Sequence, residues 1–225
     1  MVSLKFIKKN EIAKNIFSFF FKPETEIKWL AGQYMQFTVQ HSNPDSRGIK
    51  RIFTICSAPH EKDIVITTRI DPLSGSSLKK ELIKMKSGAI ISAGDPSGDF
   101  IITDDRKAIF AAGGIGITPI RSILSDLNFK DKIKGYELFY SNRDSDIAFK
   151  DEIEVYKNKS EDFSVVYFIS PSRIDYESIK NIHDSYIDFM IYISGPANMV
   201  KLLIDVFIKA GALKENIKTD YFPGY

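Results

Sequence analysis

Between residues 5 and 100 the apolar positions fall in short runs separated by turn residues, at 15–21, 34–40, 49–56, 64–70 and 89–93. In Tyr34-Met35-Gln36-Phe37-Thr38-Val39 they alternate with a period of two, as a strand with one buried face requires. Turn-forming sets such as Asn43-Pro44-Asp45 and Arg47-Gly48 separate the runs. Many short strands in this span predict an all-β antiparallel barrel, interrupted by one helix at 76–84.

After Thr103-Asp104-Asp105 the pattern becomes strand, turn, helix, and repeats. A strand at 108–112 precedes a helix through 127, and a strand at 136–140 precedes a helix at 147–156. Strands at 165–169 and 189–193 follow, the second leading into a helix at 197–210. Alternating units of this kind predict an α/β domain with a parallel sheet covered on both faces. The expected organisation is a β-barrel domain at 1–103 and an α/β nucleotide-binding domain at 104–225. There is no repeat at solenoid period and no low-complexity stretch.

Composition narrows the class. With 225 residues, 44% hydrophobic and 27% charged, the chain can bury a core, which excludes disorder, collagen and a disulfide scaffold. Thirty-one Lys and Arg against twenty-nine Asp and Glu is too even for broad contact with nucleic acid. The single cysteine, Cys56, precludes an internal disulfide, a multi-thiolate zinc site and a four-cysteine iron–sulfur cluster. It suits a reducing compartment and a packing role. His41, His60 and His183 lack paired metal-ligand spacing, so no metal site is expected. Lys5, Lys8 and Lys9 precede an apolar patch at 16–21 that is too short for a signal peptide. No apolar run reaches the roughly 20 residues of a membrane span, and the reading is cytoplasmic. Neither a Gly-x-Ser-x-Gly elbow nor a Walker loop is present, which leaves hydrolase and phosphotransferase readings without support.

Four segments could carry chemistry. In Ala111-Ala112-Gly113-Gly114-Ile115-Gly116-Ile117-Thr118-Pro119, three glycines permit a tight turn and close approach to a ligand. Thr118 suits an N-cap there, and Pro119 suits the first helical position. Exposed amides at such a helix start favour a phosphate. Ile193-Ser194-Gly195-Pro196-Ala197 joins a second strand to a helix in the same way, and loops at the carboxyl ends of parallel strands open onto one crevice. In Arg51-Ile52-Phe53-Thr54-Ile55, alternation puts Arg51, Phe53 and Ile55 on one side, which makes a plausible flavin cradle. Ser74-Gly75-Ser76-Ser77 offers another anion-binding helix start. Each segment alone also has an ordinary reading as a turn, cap or strand, with the 113–119 loop the strongest of the four signals.

Together and in this order, these segments resemble the ferredoxin–NADP reductase superfamily. The resemblance rests on Gly32-Gln33-Tyr34, Arg-x-aromatic-Thr at 51–54, Gly88, Gly-Gly-Ile-Gly-Ile-Thr-Pro at 113–119, Gly-Pro-x-x-Met at 195–199 and the aromatic C-terminus. It implies an FAD-binding barrel followed by an NAD(P)-binding domain. Residue by residue, it puts Arg51 on the flavin phosphate, Phe53 against the isoalloxazine and Thr54 within reach of N5. Ser76 and Ser77 would meet the pyrophosphate, with Arg69 a further cofactor-binding candidate. Gly113, Gly114, Gly116, Thr118 and Pro119 would hold the NAD(P) phosphates, and Gly195 and Pro196 would lie near the nicotinamide. The tail from Asp220 through Phe222 to Tyr225 would pack near the flavin. Three departures stand out: Phe53 replaces a usual tyrosine, Ser194 a frequent cysteine and Asp220 a frequent glutamate. Thr54, Ser194 and Asp220 are the catalytic candidates.

The expected activity is that of a flavin-dependent NAD(P)H oxidoreductase, passing electrons through bound FAD to a separate protein or small acceptor. A ferredoxin, flavodoxin, rubredoxin or oxygenase component would suit. The resemblance implies a bare reductase module, without an iron–sulfur or globin domain. The alternatives are a free flavin or ferric reductase and a non-catalytic nucleotide-binding interaction subunit. Arg143, in Tyr140-Ser141-Asn142-Arg143 at the end of the second parallel strand, suits a 2′-phosphate and predicts a modest NADPH preference.

Overall fold

The computed structural model describes residues 1–71 and 75–222, with Tyr221 and Phe222 described by their backbone alone. The chain divides into two compact units. One is Met1–Ile101 with Arg121–Asp126, and the other is Ile102–Ile120 with Leu127–Tyr225.

The first unit contains β1 (Val2–Ala13), β2 (Ile16–Pro23), β3 (Tyr34–Thr38), β4 (Lys50–Thr54), β5 (Ile64–Arg69), α1 (Ser77–Lys84) and β6 (Ile90–Ala93). The strands form a six-stranded antiparallel, barrel-like sheet in the order β4-β3-β6-β1-β2-β5. Met35 and Phe37 of β3 are fully buried and Gln36 is exposed, as the period-two pattern requires. Aromatic rings run through the core. Phe21 lies 5.5 Å from Phe6 and 6.2 Å from Phe37, and Phe37 meets Phe53 edge-on at 5.8 Å. Each buried phenylalanine contributes roughly 1.5–3 kcal/mol. Helix α1 adds Leu78 and Leu82, one turn apart on its buried face.

Strand β1 escapes the alternation pattern. Bulges between Phe6 and Lys8 and between Glu11 and Ala13 shift its register against β2, and each extra residue reverses which positions face inward. Its first residues also pair with β6, which makes β1 the joint between the two halves of the sheet. Gly32, ahead of β3, has φ +97°, and a Cβ there would lie 2.0 Å from the Phe100 carbonyl oxygen. A glycine is needed on both counts.

The second unit contains β7 (Ala108–Gly113), α2 (Ile117–Phe129), β8 (Tyr136–Asn142), α3 (Lys150–Lys159), β9 (Phe163–Ile169), α4 (Tyr176–Lys180), β10 (Met190–Pro196), α5 (Ala197–Lys209) and β11 (Ile217–Phe222). Its sheet is parallel, in the order β11-β10-β7-β8-β9. All six residues of central β7 are buried, so both faces of the sheet are covered. Helix α5 packs through Val200, Leu203 and Phe207, spaced by three and four.

Two differences from the sequence reading have local causes. Helix α3 begins at Lys150 rather than 147, because Phe149 has φ +61°, a left-handed conformation that cannot continue a helix. Helix α4, with only five residues, is too short to show periodicity and is defined by its cap: the Ser178 amide donates to Asp175 Oδ1.

Residues 121–126 of α2 belong to the first unit. There the Ser57 carbonyl accepts from Trp29 Nε1 at 3.1 Å and from Ser122 Oγ at 2.8 Å. The Arg121 guanidinium pairs with the Glu61 carboxylate. Among the described residues no helix is long and apolar enough to cross a membrane.

Candidate functional site

In the first unit three of the candidate residues, Arg51, Ser76 and Ser77, gather around one anion. Arg51 leaves β4 with its side chain 13% exposed. Its Nη1 donates to the carbonyls of Arg47, Gly48 and Lys50, at 2.9, 2.9 and 2.7 Å. Its Nη2 donates to Asp45 Oδ1 at 2.6 Å and to Ser76 Oγ at 3.2 Å, and its Nε is buried with no partner. The other Asp45 oxygen accepts from the backbone amide of Ser77, the first residue of α1, at 3.0 Å. The Asp45 amide donates to Ser77 Oγ at 2.9 Å.

His41 completes the arrangement. Its Nδ1 faces the Val39 carbonyl at 2.8 Å, so Nδ1 carries the proton, and in the neutral ring Nε2 accepts from Ser77 Oγ at 3.0 Å. Burial opposes ionisation of Asp45. The Ser77 and Arg47 amides and the Arg51 guanidinium outweigh it and hold this carboxyl well below the usual carboxylate range.

A guanidinium, a free helix-start amide and a hydroxyl form a donor set suited to a phosphate. Here the chain's own carboxylate sits in that set. The structure therefore brings Arg51, Ser76 and Ser77 together through a residue, Asp45, whose Asn-Pro-Asp context reads as an ordinary turn. Ser74 lies outside the described residues.

The other candidates of this unit lie elsewhere. Phe53, expected against the isoalloxazine, is 8% exposed and packs in the aromatic core. Thr54 is buried at the end of β4, opposite Tyr34. Arg69 is exposed and donates to the Lys14 carbonyl at 3.4 Å, apart from the hydrogen bonds around Asp45. Cys56 is buried.

In the second unit the glycines divide by role. A Cβ on Gly116 would lie 2.2 Å from the Ser194 carbonyl oxygen, and one on Gly113 would lie 2.2 Å from Met199 Sδ. Gly195 approaches the Gly113 backbone closely as well. Gly116 and Gly195 let the turns after β7 and β10 pack backbone on backbone, and Gly113 leaves room for the Met199 side chain. Gly114 differs: it has φ +52° and open space where its Cβ would be. The Tyr140 hydroxyl, donating to the Gly114 carbonyl at 3.1 Å, steadies that turn.

The helix start departs from expectation. Gly114–Gly116 form a 3₁₀ turn and α2 begins at Ile117, which puts Thr118 and Pro119 second and third in the helix. Thr118 is not the cap. It is buried, and its hydroxyl donates back to the Ile115 carbonyl at 3.1 Å. Pro119 still falls in the first turn, where its missing N–H costs nothing.

Ser194 is fully buried and its Oγ has no partner. It shares a cross-strand row with Ala112 of β7 and Asp220 of β11, so the structure brings the catalytic candidates Ser194 and Asp220 side by side. Pro196 pairs with Phe222 in the same register. The Phe222 side chain and Tyr225 lie outside the described residues. Arg143 is exposed just past β8, and the buried Asn142 Nδ2 beside it has no partner. Asp144 accepts from the Asp146 amide at 3.1 Å. The orphaned Ser194 hydroxyl and the open cradle at Gly114 fit a nucleotide ligand at this end of the sheet.

Residues 110–204 match the family model described as an oxidoreductase NAD-binding domain. An NAD(P)H-flavin reductase from Aliivibrio fischeri is 27% identical over 224 residues, covering 93% of this chain and 88% of the relative. The structure of a ferredoxin-NADP+ reductase from Plasmodium falciparum superposes with a TM-score of 0.83 at 15% identity, over 98% of this chain and 95% of that one. Residues 110–204 belong to the oxidoreductase NAD-binding family, and the chain as a whole has the fold of the ferredoxin–NADP reductases. A flavohemoprotein from Candida albicans is 28% identical over 211 residues, covering 86% of this chain and 51% of the relative. The chain spans about half the length of several curated relatives it matches, the flavin reductase excepted. The barrel-like sheet followed by a parallel α/β unit is the superfamily's two-domain fold.

Proposed function

We infer that this chain is a flavin-dependent NAD(P)H oxidoreductase. FAD is held by the first unit and NAD(P)H by the second, and electrons leave to a separate acceptor. The observation that carries this reading is the anion seat made by Arg51, Ser76 and the Ser77 amide, on the strand–helix pair where the superfamily resemblance puts a flavin phosphate. The NAD-binding match of residues 110–204 supports the second half.

Bound flavin supplies the hydride acceptance and single-electron release that protein side chains lack. The chain's own groups bind and orient. Arg51 and the start of α1 hold the flavin phosphates, and Thr54 offers its hydroxyl to the ring. The Gly114 turn takes the dinucleotide phosphates. Ser194, with Asp220 in the same row, offers a hydroxyl beside the nicotinamide. Arg143 favours the 2′-phosphate of NADPH. An electron-carrier protein such as a ferredoxin, flavodoxin or rubredoxin, an oxygenase component or a small oxidant would serve as acceptor.

The test is reduction of an artificial acceptor by NADH or NADPH, with and without added FAD. Flavin-dependent turnover with a modest NADPH preference is expected. No turnover with either nucleotide, together with no uptake of FAD, overturns the reading. The Arg143 contact is tested by kcat/KM for both nucleotides in Arg143→Ala. A selective loss of roughly 1.5–3 kcal/mol for NADPH supports it, and an equal fall for both removes it.

A further inference from the structure

Three of the strongest donors in the first unit, the two terminal nitrogens of Arg51 and the Ser77 amide, are already occupied within the chain. Asp45 takes Arg51 Nη2 at 2.6 Å and the Ser77 amide at 3.0 Å, one carboxylate oxygen to each. This is the bidentate pose of a small oxyanion between an arginine and a helix start. The loop that carries it is latched a second time: the Asp45 amide and His41 Nε2 both meet Ser77 Oγ, at 2.9 and 3.0 Å. Arg47, next but one along the loop, adds its amide to Asp45 Oδ1 at 2.9 Å. Arg51 Nε stays buried and unpaired, so the carboxylate does not use all that the arginine can donate.

We propose that Asp45 is an internal competitor for the flavin phosphate and is the residue that sets how tightly flavin is held. The inference rests on the flavin reading given above. A phosphate entering the seat must displace the carboxylate from Arg51 and from the Ser77 amide, because both donors serve one anion at a time. Part of the phosphate's interaction energy is thereby spent opening the loop at residues 41–48. A diphosphate gains more than Asp45 gives up, since it carries more charge and more acceptor oxygens than one carboxylate. A flavin without phosphate gains nothing from the seat. The consequence is that flavin exchanges with solution instead of being retained through every turnover. Asp45 also keeps Arg51 neutralised and its side chain ordered while the seat is empty of flavin.

The experiment is isothermal calorimetry of the full chain with FAD and with riboflavin, for wild type, Asp45→Asn, Asp45→Ser and Arg51→Ala, with circular dichroism melts to establish folding. Asp45→Asn should tighten FAD by about 10-fold or more, the scale of a charge-assisted hydrogen bond, and leave riboflavin unchanged. Asp45→Ser should do the same if the asparagine variant folds poorly. Arg51→Ala should abolish the gain when combined with either. FAD affinity that is unchanged or weaker in a folded Asp45 variant overturns the proposal and makes Asp45 a scaffold for Arg51. Equal tightening of FAD and riboflavin overturns it too, because the competition would not be for phosphate. If riboflavin and FAD bind to none of the proteins, wild type included, the flavin reading itself fails, and the proposal with it.

Discussion

Around Arg51 the polar groups answer one another: guanidinium to carboxylate, carboxylate to helix amide, amide to hydroxyl, hydroxyl to histidine. Around Ser194 the chain does the opposite. The nearby turns are packed through glycines that bring no side-chain donors, and a fully buried hydroxyl is left with nothing to bond. A buried polar group without a partner costs about 1–3 kcal/mol, a penalty that falls on the whole Ser194 hydroxyl in the second unit but on Nε alone of the Arg51 guanidinium in the first. Two binding strategies follow. A ligand at the first unit exchanges one set of hydrogen bonds for another, whereas a ligand at the second supplies a bond that is missing.

The contrast can be broken most severely at the glycines. Gly116→Ala would push a methyl group into the Ser194 carbonyl, where backbone meets backbone and neither can yield. The loss of stability should reach or pass the top of the roughly 1–3 kcal/mol expected for overpacking. Gly114→Ala meets no neighbour and should cost about 1 kcal/mol for its left-handed backbone, so its effect should fall on nucleotide affinity instead. Urea midpoints for the two variants, set beside NADH binding, decide whether packing and binding are divided between these glycines as the geometry has it.

Ser194→Ala sharpens the comparison in the other direction. Removing an unpaired buried hydroxyl should raise stability by roughly 1 kcal/mol in the nucleotide-free protein while slowing turnover. A destabilised variant would mean that the hydroxyl is satisfied in solution. Tyr140→Phe removes the bond to the Gly114 carbonyl and should cost about 1 kcal/mol or less in stability, with a rise in KM for the nucleotide larger than any fall in kcat.

The smallest effect expected is on the pH dependence of the first unit. Asp45 has a carboxyl pKa lowered below its ordinary 3.8, so the stability it contributes is present above about pH 4. That contribution drains away as pH falls further, through the folded value. The stability difference between wild type and Asp45→Asn should therefore be flat from pH 7 to 5 and shrink below 4. A difference that grows on acidification would contradict the ion pair.

Much of this was readable from the chain. The strand at 34–38 and the alternating units after 108 announce themselves, because burial on one face or on both leaves a period in the sequence. Strand β1 does not, because its bulges break the period, and β11 does not, because an edge strand with partly buried and exposed residues such as Lys218 and Thr219 has little apolar signal. Arg51, Ser76 and Ser77 were legible as types able to hold a phosphate. Asp45 was not, since nothing in a turn sequence tells which anion seat it will fill. Nor can a sequence distinguish Gly114 from Gly113 and Gly116. What sets them apart is the approach of residues 194–199, some eighty positions away in the chain.

The short stretch at 121–126 bears on how the molecule can be taken apart. A polypeptide stopped at residue 103 would keep all six antiparallel strands but forfeit Ser122 and Arg121. The Ser57 carbonyl would be left to Trp29 alone, Glu61 would face the Ala58 amide without its guanidinium, and the tight fit of Gly32 against Ile123 would open to water. Modular exchange of barrels between relatives by a single crossover at the sequence boundary would carry the same defect, because the barrel's last six residues are encoded inside its neighbour.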